Sequence, residues 1–150
     1  MYADWLSRIT GKSYRLLSEA EYEYAARGGR SWRFPWGETL EDGKANCAGC
    51  GTGSTPDGTT PVDAFPPNAF GLRDVTGNVF QWVADCYHDN YAGAPSDGSA
   101  WATPSCENRV VRGASYLRRP PLLRSSWRDW RKATTRDAEV GFRVAREIVR

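Results

Sequence analysis

The stretch Asp74-Val-Thr-Gly-Asn-Val-Phe-Gln-Trp-Val83 places a turn directly before a strand, near the middle of a chain of 150 residues. Residues 74–78 favour a turn, because Asp and Asn bond to nearby backbone amides and Gly accepts a positive φ. Residues 79–83 then alternate apolar and polar side chains, which predicts a half-buried strand. A chain of this length suits one domain with one core.

Two helices are predicted on the N-terminal side of this segment. The first carries an apolar stripe at helical spacing and ends at Gly11; its members are Tyr2, Trp5, Leu6 and Ile9. The second is predicted over roughly residues 19–27, because Ser18 and Glu21 have the spacing of a capping box and Gly28 supplies a stop. Short strands are predicted at residues 14–17, 109–112 and 139–145. The pattern predicts an α+β fold, and 15 Gly and 9 Pro predict long irregular loops.

Charge and hydropathy exclude several classes of protein. The net charge is only +2, which does not favour nucleic acid as a partner, and no apolar run approaches the roughly 20 residues of a membrane span. The first helix begins inside its own apolar stripe without a capping residue, so we expect sequence upstream of Met1. Localisation cannot then be read from this terminus, and an extracytoplasmic location requires a signal peptide further upstream.

The four cysteines are interpreted as structural. An even number in a small, loop-rich chain favours two disulfides in an oxidising compartment. Of the three possible pairings we favour Cys47–Cys50 with Cys86–Cys106, although spacing alone does not decide between them. A redox or zinc role for Cys47 and Cys50 lacks the flanking strand and helix that such sites use. His88 is the only histidine and lies in a polar loop, where we expect it to be solvated.

Residues 115–131 carry five arginines and two tryptophans. Arginine suits carboxylate or phosphate recognition and tryptophan offers a stacking face, so this segment has the composition of a binding surface. We expect four of its side chains to be exposed: Arg118, Arg119, Trp127 and Trp130. Arg124 and Arg128 of this segment, and Arg143 beyond it, are instead expected to be buried scaffold arginines. We expect them to bond loop carbonyls and acids such as Asp74, Asp85 and Asp137.

Several blocks, in this order, resemble the formylglycine-generating enzyme (sulfatase-modifying factor) family. They include Tyr14-Arg-Leu-Leu-Ser-Glu-Ala-Glu-Tyr-Glu-Tyr-Ala-Ala-Arg27, Phe34-Pro-Trp-Gly37, Thr76-Gly-Asn-Val-Phe-Gln-Trp82, Arg109-Val-Val-Arg-Gly-Ala-Ser-Tyr116 and Gly141-Phe-Arg143. The resemblance implies a C-type-lectin-like α+β fold and one domain over residues 1–150. Domains of this family begin well before the first helix, so it also implies that the N-terminal part is missing.

The same resemblance bears on copper. The family's founding enzyme oxidises a sulfatase cysteine to formylglycine with copper held by two cysteines, which follow a block that matches the one ending at Tyr116. Here the segment starts at Leu117 and contains no cysteine, and a soft Cu(I) centre requires thiolate. Ser115 matches an active-site serine without those partners. The resemblance therefore predicts a chain without copper and without oxidase activity.

Calcium is the cofactor that the resemblance implies. One family calcium site matches Asp74, Gly77, Val79 and Gln81, where glutamate is usual at the last position. Gln81 keeps an oxygen but loses a charge, which predicts weaker binding. A second site matches Asn46 and the carbonyl of Cys47, with Ser54 near the place of its acidic ligand.

Our leading hypothesis is a catalytically inert family member that binds a protein or small-molecule ligand at residues 116–132. The expected ligand-binding side chains are Ser115, Tyr116, Arg118, Arg119, Trp127 and Trp130. Two alternatives remain open. One is an enzyme, either a divergent formylglycine-generating oxidase or a relative of the iron-dependent sulfoxide synthases, whose histidine ligands a chain with only His88 lacks. The other is a fragment of a larger enzyme whose activity lies upstream.

Overall fold

Two α-helices and six short strands form the part of the chain that the computed structural model describes, residues 2–51 and 57–148. The helices are α1 (Tyr2–Thr10) and α2 (Glu19–Arg27), and a 3-10 helix spans Pro120–Leu123. The strands are β1 (Tyr14–Leu16), β2 (Phe80–Cys86), β3 (Asn108–Arg112), β4 (Arg128–Lys132), β5 (Val140–Phe142) and β6 (Val144–Arg146). The predicted α+β class is confirmed.

The strands form two sheets. The larger sheet has the order β4-β3-β2-β5, in which β3 is antiparallel to both its neighbours and β5 runs parallel to β2. The smaller sheet is the antiparallel pair β1–β6. The strand predicted at residues 79–83 is thus confirmed as the inner strand β2, which is buried along most of its length.

The strand predicted over residues 139–145 is two strands. Arg143 lies between β5 and β6, and these two strands belong to different sheets. The Arg143 guanidinium bonds to the side chain of Gln81 on β2 and to the Arg73 carbonyl in the segment before β2. One continuous alternation covers both halves, and the sequence pattern therefore does not show the switch.

The capping box of α2 is confirmed. The Ser18 hydroxyl accepts from the Glu21 amide, and the Glu21 carboxylate accepts from the Ser18 amide. Gly28 ends the helix in the left-handed region at φ 59°. By contrast, the apolar stripe of α1 stays largely exposed, and its Ile9 is 59% exposed. Tyr2 instead packs against the Trp5 and Phe142 rings.

Two adjoining apolar clusters fill the interior on either side of β2 and β3. The first is built from Phe34, Ala45, Cys47, Phe80, Val111, Ala114 and Leu123. The second is built from Leu17, Tyr22, Ala26, Val75, Val83 and Val110. The favoured disulfide pairing is confirmed, since Cys47 bonds to Cys50 and Cys86 bonds to Cys106. No helix among the described residues has the length and apolar character to cross a membrane.

The three expected scaffold arginines are half-buried, and each donates to a backbone carbonyl as expected, but none of them bonds to the acids that were expected. Arg128 is a scaffold arginine as expected, but its carboxylate partner is Glu19, and it also donates to the His88 carbonyl. Arg124 donates to the Pro121 carbonyl. The expected acids bond elsewhere: Asp85 accepts from the backbone amides of Glu19 and Trp101, and burial raises its pKa. The expected carboxylate partner of Arg128 was wrong, because β4 brings this arginine to Glu19 at the start of α2 instead.

Candidate functional site

Ser115 is fully buried in the turn after β3, and its hydroxyl donates to the Glu139 carboxylate. Gly113 and Ala114, at φ 87° and 61°, reverse the chain before it. Glu139 directly precedes β5, and its carbonyl accepts from the Phe80 amide at 2.7 Å. The parallel pairing of β5 with β2 thus brings the carboxylate of Glu139 to the serine.

Arg118 completes this polar group. Its guanidinium forms an ion pair with Glu139 at 3.1 Å and lies 5.4 Å from the centre of the Phe80 ring. The Arg118 side chain is 34% exposed, so the expected exposure is only partial and its guanidinium is paired. The Arg118 carbonyl accepts from the Ala48 amide at 3.0 Å, which ties this segment to the Cys47–Cys50 turn.

The segment that follows Ser115 alternates between anchored and outward side chains. Tyr116 is buried, and its amide donates to the Asn78 carbonyl at 2.8 Å. Leu117 is 44% exposed, and Arg119 is exposed with no carboxylate of the described residues within 4 Å of its guanidinium. Tyr116 and Arg118 therefore hold the backbone while Leu117 and Arg119 face solvent.

The two tryptophans of the predicted set lie apart from this group. Trp130 is exposed as expected, but it lies on β4 and packs against the Tyr87 ring. Its neighbour Arg131 points to the other face of the strand and reaches the Phe80 ring, which Arg118 also contacts. Trp127 is half-buried beneath the Arg124 guanidinium, so its expected exposure was wrong. The fold thus brings Ser115 and Arg118 together at Glu139, whereas Trp127 packs against Arg124 and Trp130 against Tyr87.

A groove of about 860 Å³ lies elsewhere on the described surface, between α1, β1 and β2. Its walls include Tyr2, Leu16, Trp82, Ala84 and Phe142, and none of the six predicted ligand-binding residues contributes to it. The predicted site is therefore a surface formed by the segment after Ser115, separate from this groove.

The residues of the first expected calcium site meet at the turn before β2. Asp74 has one carboxylate oxygen that is buried without a hydrogen-bond partner among the described residues, and burial raises the pKa of this carboxyl. That oxygen would suit a cation. The Gln81 oxygen, however, accepts from Arg143 at 3.0 Å, and the Gln81 amide nitrogen donates to the Asp74 carbonyl at 2.7 Å. A hard cation takes oxygen ligands, and Gln81 turns its NH2 group toward the turn, so Gln81 as placed does not fit as a calcium ligand.

At the second expected calcium site, the backbone carbonyls and the Asn46 amide nitrogen take part in hydrogen bonds. The carbonyl of Asn46 accepts from the Asn78 amide at 2.9 Å, and the carbonyl of Cys47 accepts from the Cys50 amide. The Asn46 side chain donates to the Gly58 carbonyl. Ser54 lies outside the described residues, and within them no group of three or more His, Cys, Asp or Glu side chains could hold a metal. Calcium at Asn46 and Cys47 stays a prediction.

His88 is more ordered than its polar loop suggested. Its ring stacks on Trp101 at 3.5 Å between ring centroids, and its Nδ1 lies 3.1 Å from the Cys86 carbonyl. The expected solvated histidine is therefore part of the structure around the Cys86–Cys106 disulfide.

Two residues that sequence reasoning missed are Glu139 and Arg112. Glu139 was read only as the start of a strand, and its role follows from the register of β5 on β2. Arg112 is fully buried and pairs with Glu19 at 2.9 Å and Glu23 at 2.6 Å. Alternation along β3 places Arg112 on the inner face with Val110, which is the one signal that could have identified it.

Fold and site together define a loop-rich α+β domain in which a serine, a glutamate and an arginine meet beside a turn closed by a disulfide. The chain matches, over residues 1–148, the family described as the sulfatase-modifying factor enzyme 1-like domain. It therefore belongs to the formylglycine-generating enzyme family, and the resemblance noted from the sequence is confirmed.

Three known proteins show how close the similarity is. The formylglycine-generating enzyme of Bos taurus is 36% identical over 124 residues, which are 76% of this chain and 33% of that protein. The structure of PvdO from Pseudomonas aeruginosa superposes with a TM-score of 0.89 at 48% identity, covering 98% of this chain and 57% of that one. Treponema denticola variable protein 1 has a TM-score of 0.73 at 29% identity, covering 89% and 47%. The chain thus spans between a third and somewhat over half of these relatives.

Proposed function

We propose that this chain is a ligand-binding member of its family that does not carry out copper-dependent cysteine oxidation. The ligand is a protein segment or small molecule that presents a carboxylate beside an apolar group. Leu117 and Arg119 contact it directly, and the Ser115–Glu139–Arg118 group holds them in position.

The alternation of residues 116–119 is the observation that carries this proposal. Tyr116 and Arg118 are anchored through the backbone to Asn78 and Ala48, and Glu139 neutralises the charge of Arg118. Arg119 keeps a guanidinium at the surface that no carboxylate of residues 2–51 and 57–148 neutralises, beside an exposed Leu117. The outward guanidinium suits a ligand carboxylate, and the outward apolar side chain suits an apolar group beside it. Because the backbone between them is already held in place, little conformational entropy of this segment is lost on binding.

The absence of oxidase activity is supported by the state of the cysteines. All four cysteines of the chain are held in the Cys47–Cys50 and Cys86–Cys106 disulfides. A Cu(I) centre is built on thiolates, and the segment after Ser115 supplies none. Incubating the chain with a Cys-x-Pro-x-Arg sulfatase peptide, copper and oxygen should leave the mass of the peptide unchanged. Formation of formylglycine would contradict this part of the proposal.

Binding is tested with two immobilised hexapeptide libraries. One contains Asp or Glu beside an apolar residue, and the other replaces each acid with Asn or Gln. The chain should be retained on the acidic library, and Arg119→Ala should reduce retention at least tenfold. Arg136→Ala is the matched control, since it removes the same charge from an exposed arginine outside the segment. Equal retention of the two variants, or of the chain on the two libraries, would overturn the proposal.

A further inference from the structure

Gln81 is buried between Arg143 and the turn that precedes β2. Only 4% of Gln81 is exposed, and both ends of its amide are hydrogen-bonded. Its oxygen accepts from the Arg143 Nε at 3.0 Å, and its nitrogen donates to the Asp74 carbonyl at 2.7 Å. The side chain therefore links an arginine at the β5–β6 break to a backbone carbonyl of the turn.

The orientation of this amide follows from its partners. A guanidinium can only donate hydrogen bonds and a backbone carbonyl can only accept them. The opposite orientation would place the amide NH2 against the Arg143 N–H and the amide oxygen against the Asp74 carbonyl, which loses both bonds. The nitrogen of Gln81 must face the turn, so this residue offers no oxygen there.

The turn itself has a demanding backbone. Asp74 and Asn78 have φ of 51° and 63°, and Gly77 has φ of 79°. Carbonyls at the start of the turn need donors: Arg143 supplies Nη2 to the Arg73 carbonyl at 2.6 Å, and Gln81 supplies the donor to Asp74. A bound cation would satisfy carbonyls in the same way, by placing positive charge where they converge.

A carboxylate at position 81 would behave differently from the amide. One of its oxygens could still accept from Arg143, but the other would face the Asp74 carbonyl, acceptor against acceptor. A cation between them would then be needed to remove the repulsion. We propose that the amide of Gln81, held by Arg143, replaces the calcium that the family resemblance implies at this turn, so that the turn folds without metal there.

The test counts calcium ions bound to the full chain and to Gln81→Glu by isothermal titration calorimetry in metal-free buffer. The variant should bind one more calcium per chain than the unmodified protein. Any calcium bound at Asn46 and Cys47 is present in both proteins and does not affect this difference. In thermal unfolding, Gln81→Glu should have a lower Tm than the unmodified chain in EDTA. Calcium at about 100 times its Kd should raise the Tm of this variant by about 5–10 °C.

Gln81→Met is the control, because it removes both hydrogen bonds without adding charge. It should lower the Tm and bind the same number of calcium ions as the unmodified chain. The proposal is overturned if Gln81→Met binds one calcium fewer, since Gln81 would then be a ligand. It is equally overturned if Gln81→Glu binds no additional calcium. If Gln81→Glu is unfolded in EDTA, circular dichroism is used to follow its response to added calcium. Refolding supports the proposal, and failure to refold overturns it.

Discussion

The guanidinium of Arg112 donates to the carboxylate of Glu19 at 2.9 Å, joining β3 to the first residue of α2 across 93 positions of the chain. Arg112 is fully buried. Glu19 also accepts from Arg128 and from the Tyr91 hydroxyl, so one carboxylate serves three donors from different segments. Helix α2 is thus fixed to the larger sheet through charged hydrogen bonds as well as apolar contacts.

Removing this carboxylate should be costly. Glu19→Ala leaves the guanidinium groups of Arg112 and Arg128 without their shared partner inside the protein. We expect the free energy of unfolding to fall by about 3–5 kcal/mol, measured by urea denaturation. The control is Glu107→Ala, whose carboxylate is 80% exposed and 4.0 Å from Lys132, and which should change stability by less than about 1 kcal/mol. Equal losses in the two variants would contradict the central role of Glu19.

The turn before β2 should not tolerate a side chain at Gly77. A Cβ there would lie 2.6 Å from the Asn46 carbonyl oxygen, in addition to the strain of φ 79°. Gly77→Ala is expected to lower the free energy of unfolding by about 3 kcal/mol or more. Gly43→Ala separates the two effects, because Gly43 has φ 73° but nothing within 4 Å of its Cβ position, and should cost about 1 kcal/mol. Thermal unfolding of both variants measures the difference. Similar Tm values would show that the Asn46 backbone shifts to accommodate the added methyl group at little cost.

The two disulfides should differ in their contribution to stability. Cys86–Cys106 joins residues 20 apart and Cys47–Cys50 joins residues 3 apart. In the chain-entropy account the first constrains the unfolded chain by about 3 kcal/mol and the second by about 2 kcal/mol. Replacing each pair with alanine and measuring guanidinium unfolding tests the order. A larger loss from the Cys47–Cys50 pair would mean that its tie to the Arg118 segment outweighs loop length.

The capping carboxylate of α2 should make stability depend on pH. The Arg15 guanidinium holds the pKa of Glu21 below its usual range, helped by the Ser18 amide. Because the pKa of Glu21 is lower in the folded than in the unfolded protein, its carboxylate stabilises the fold above the unfolded pKa of about 4.3. This stabilisation is lost as the pH falls through the pKa of the folded protein. The pair is partly exposed, so Glu21→Gln should lose only about 0.5–1 kcal/mol at pH 7. At pH of about 2 the two proteins should have equal urea midpoints, and a constant difference at both pH values would contradict this origin.

Local features of the structure follow directly from local sequence. The capping box at Ser18 and Glu21, the Gly28 stop and a strand at residues 79–83 were all predicted, because each depends on neighbours within a few residues. The disulfide pairing was favoured but not decided, since the distance between cysteines in space does not follow from their spacing. The strand Arg128–Lys132 was missed, because its charged residues and tryptophan lack a regular apolar alternation.

By itself, the sequence determined the family, the α+β class and the lack of a cysteine after Ser115, since these depend on residue identity and order. The tertiary structure alone decided which polar groups meet. Glu139 reaches Ser115 only through the parallel register of β5 on β2, and Arg143 reaches Gln81 only because the chain changes sheet at that residue. The physical reason is that a buried polar atom takes the partner that backbone pairing brings within 3 Å, and that pairing joins residues distant in sequence.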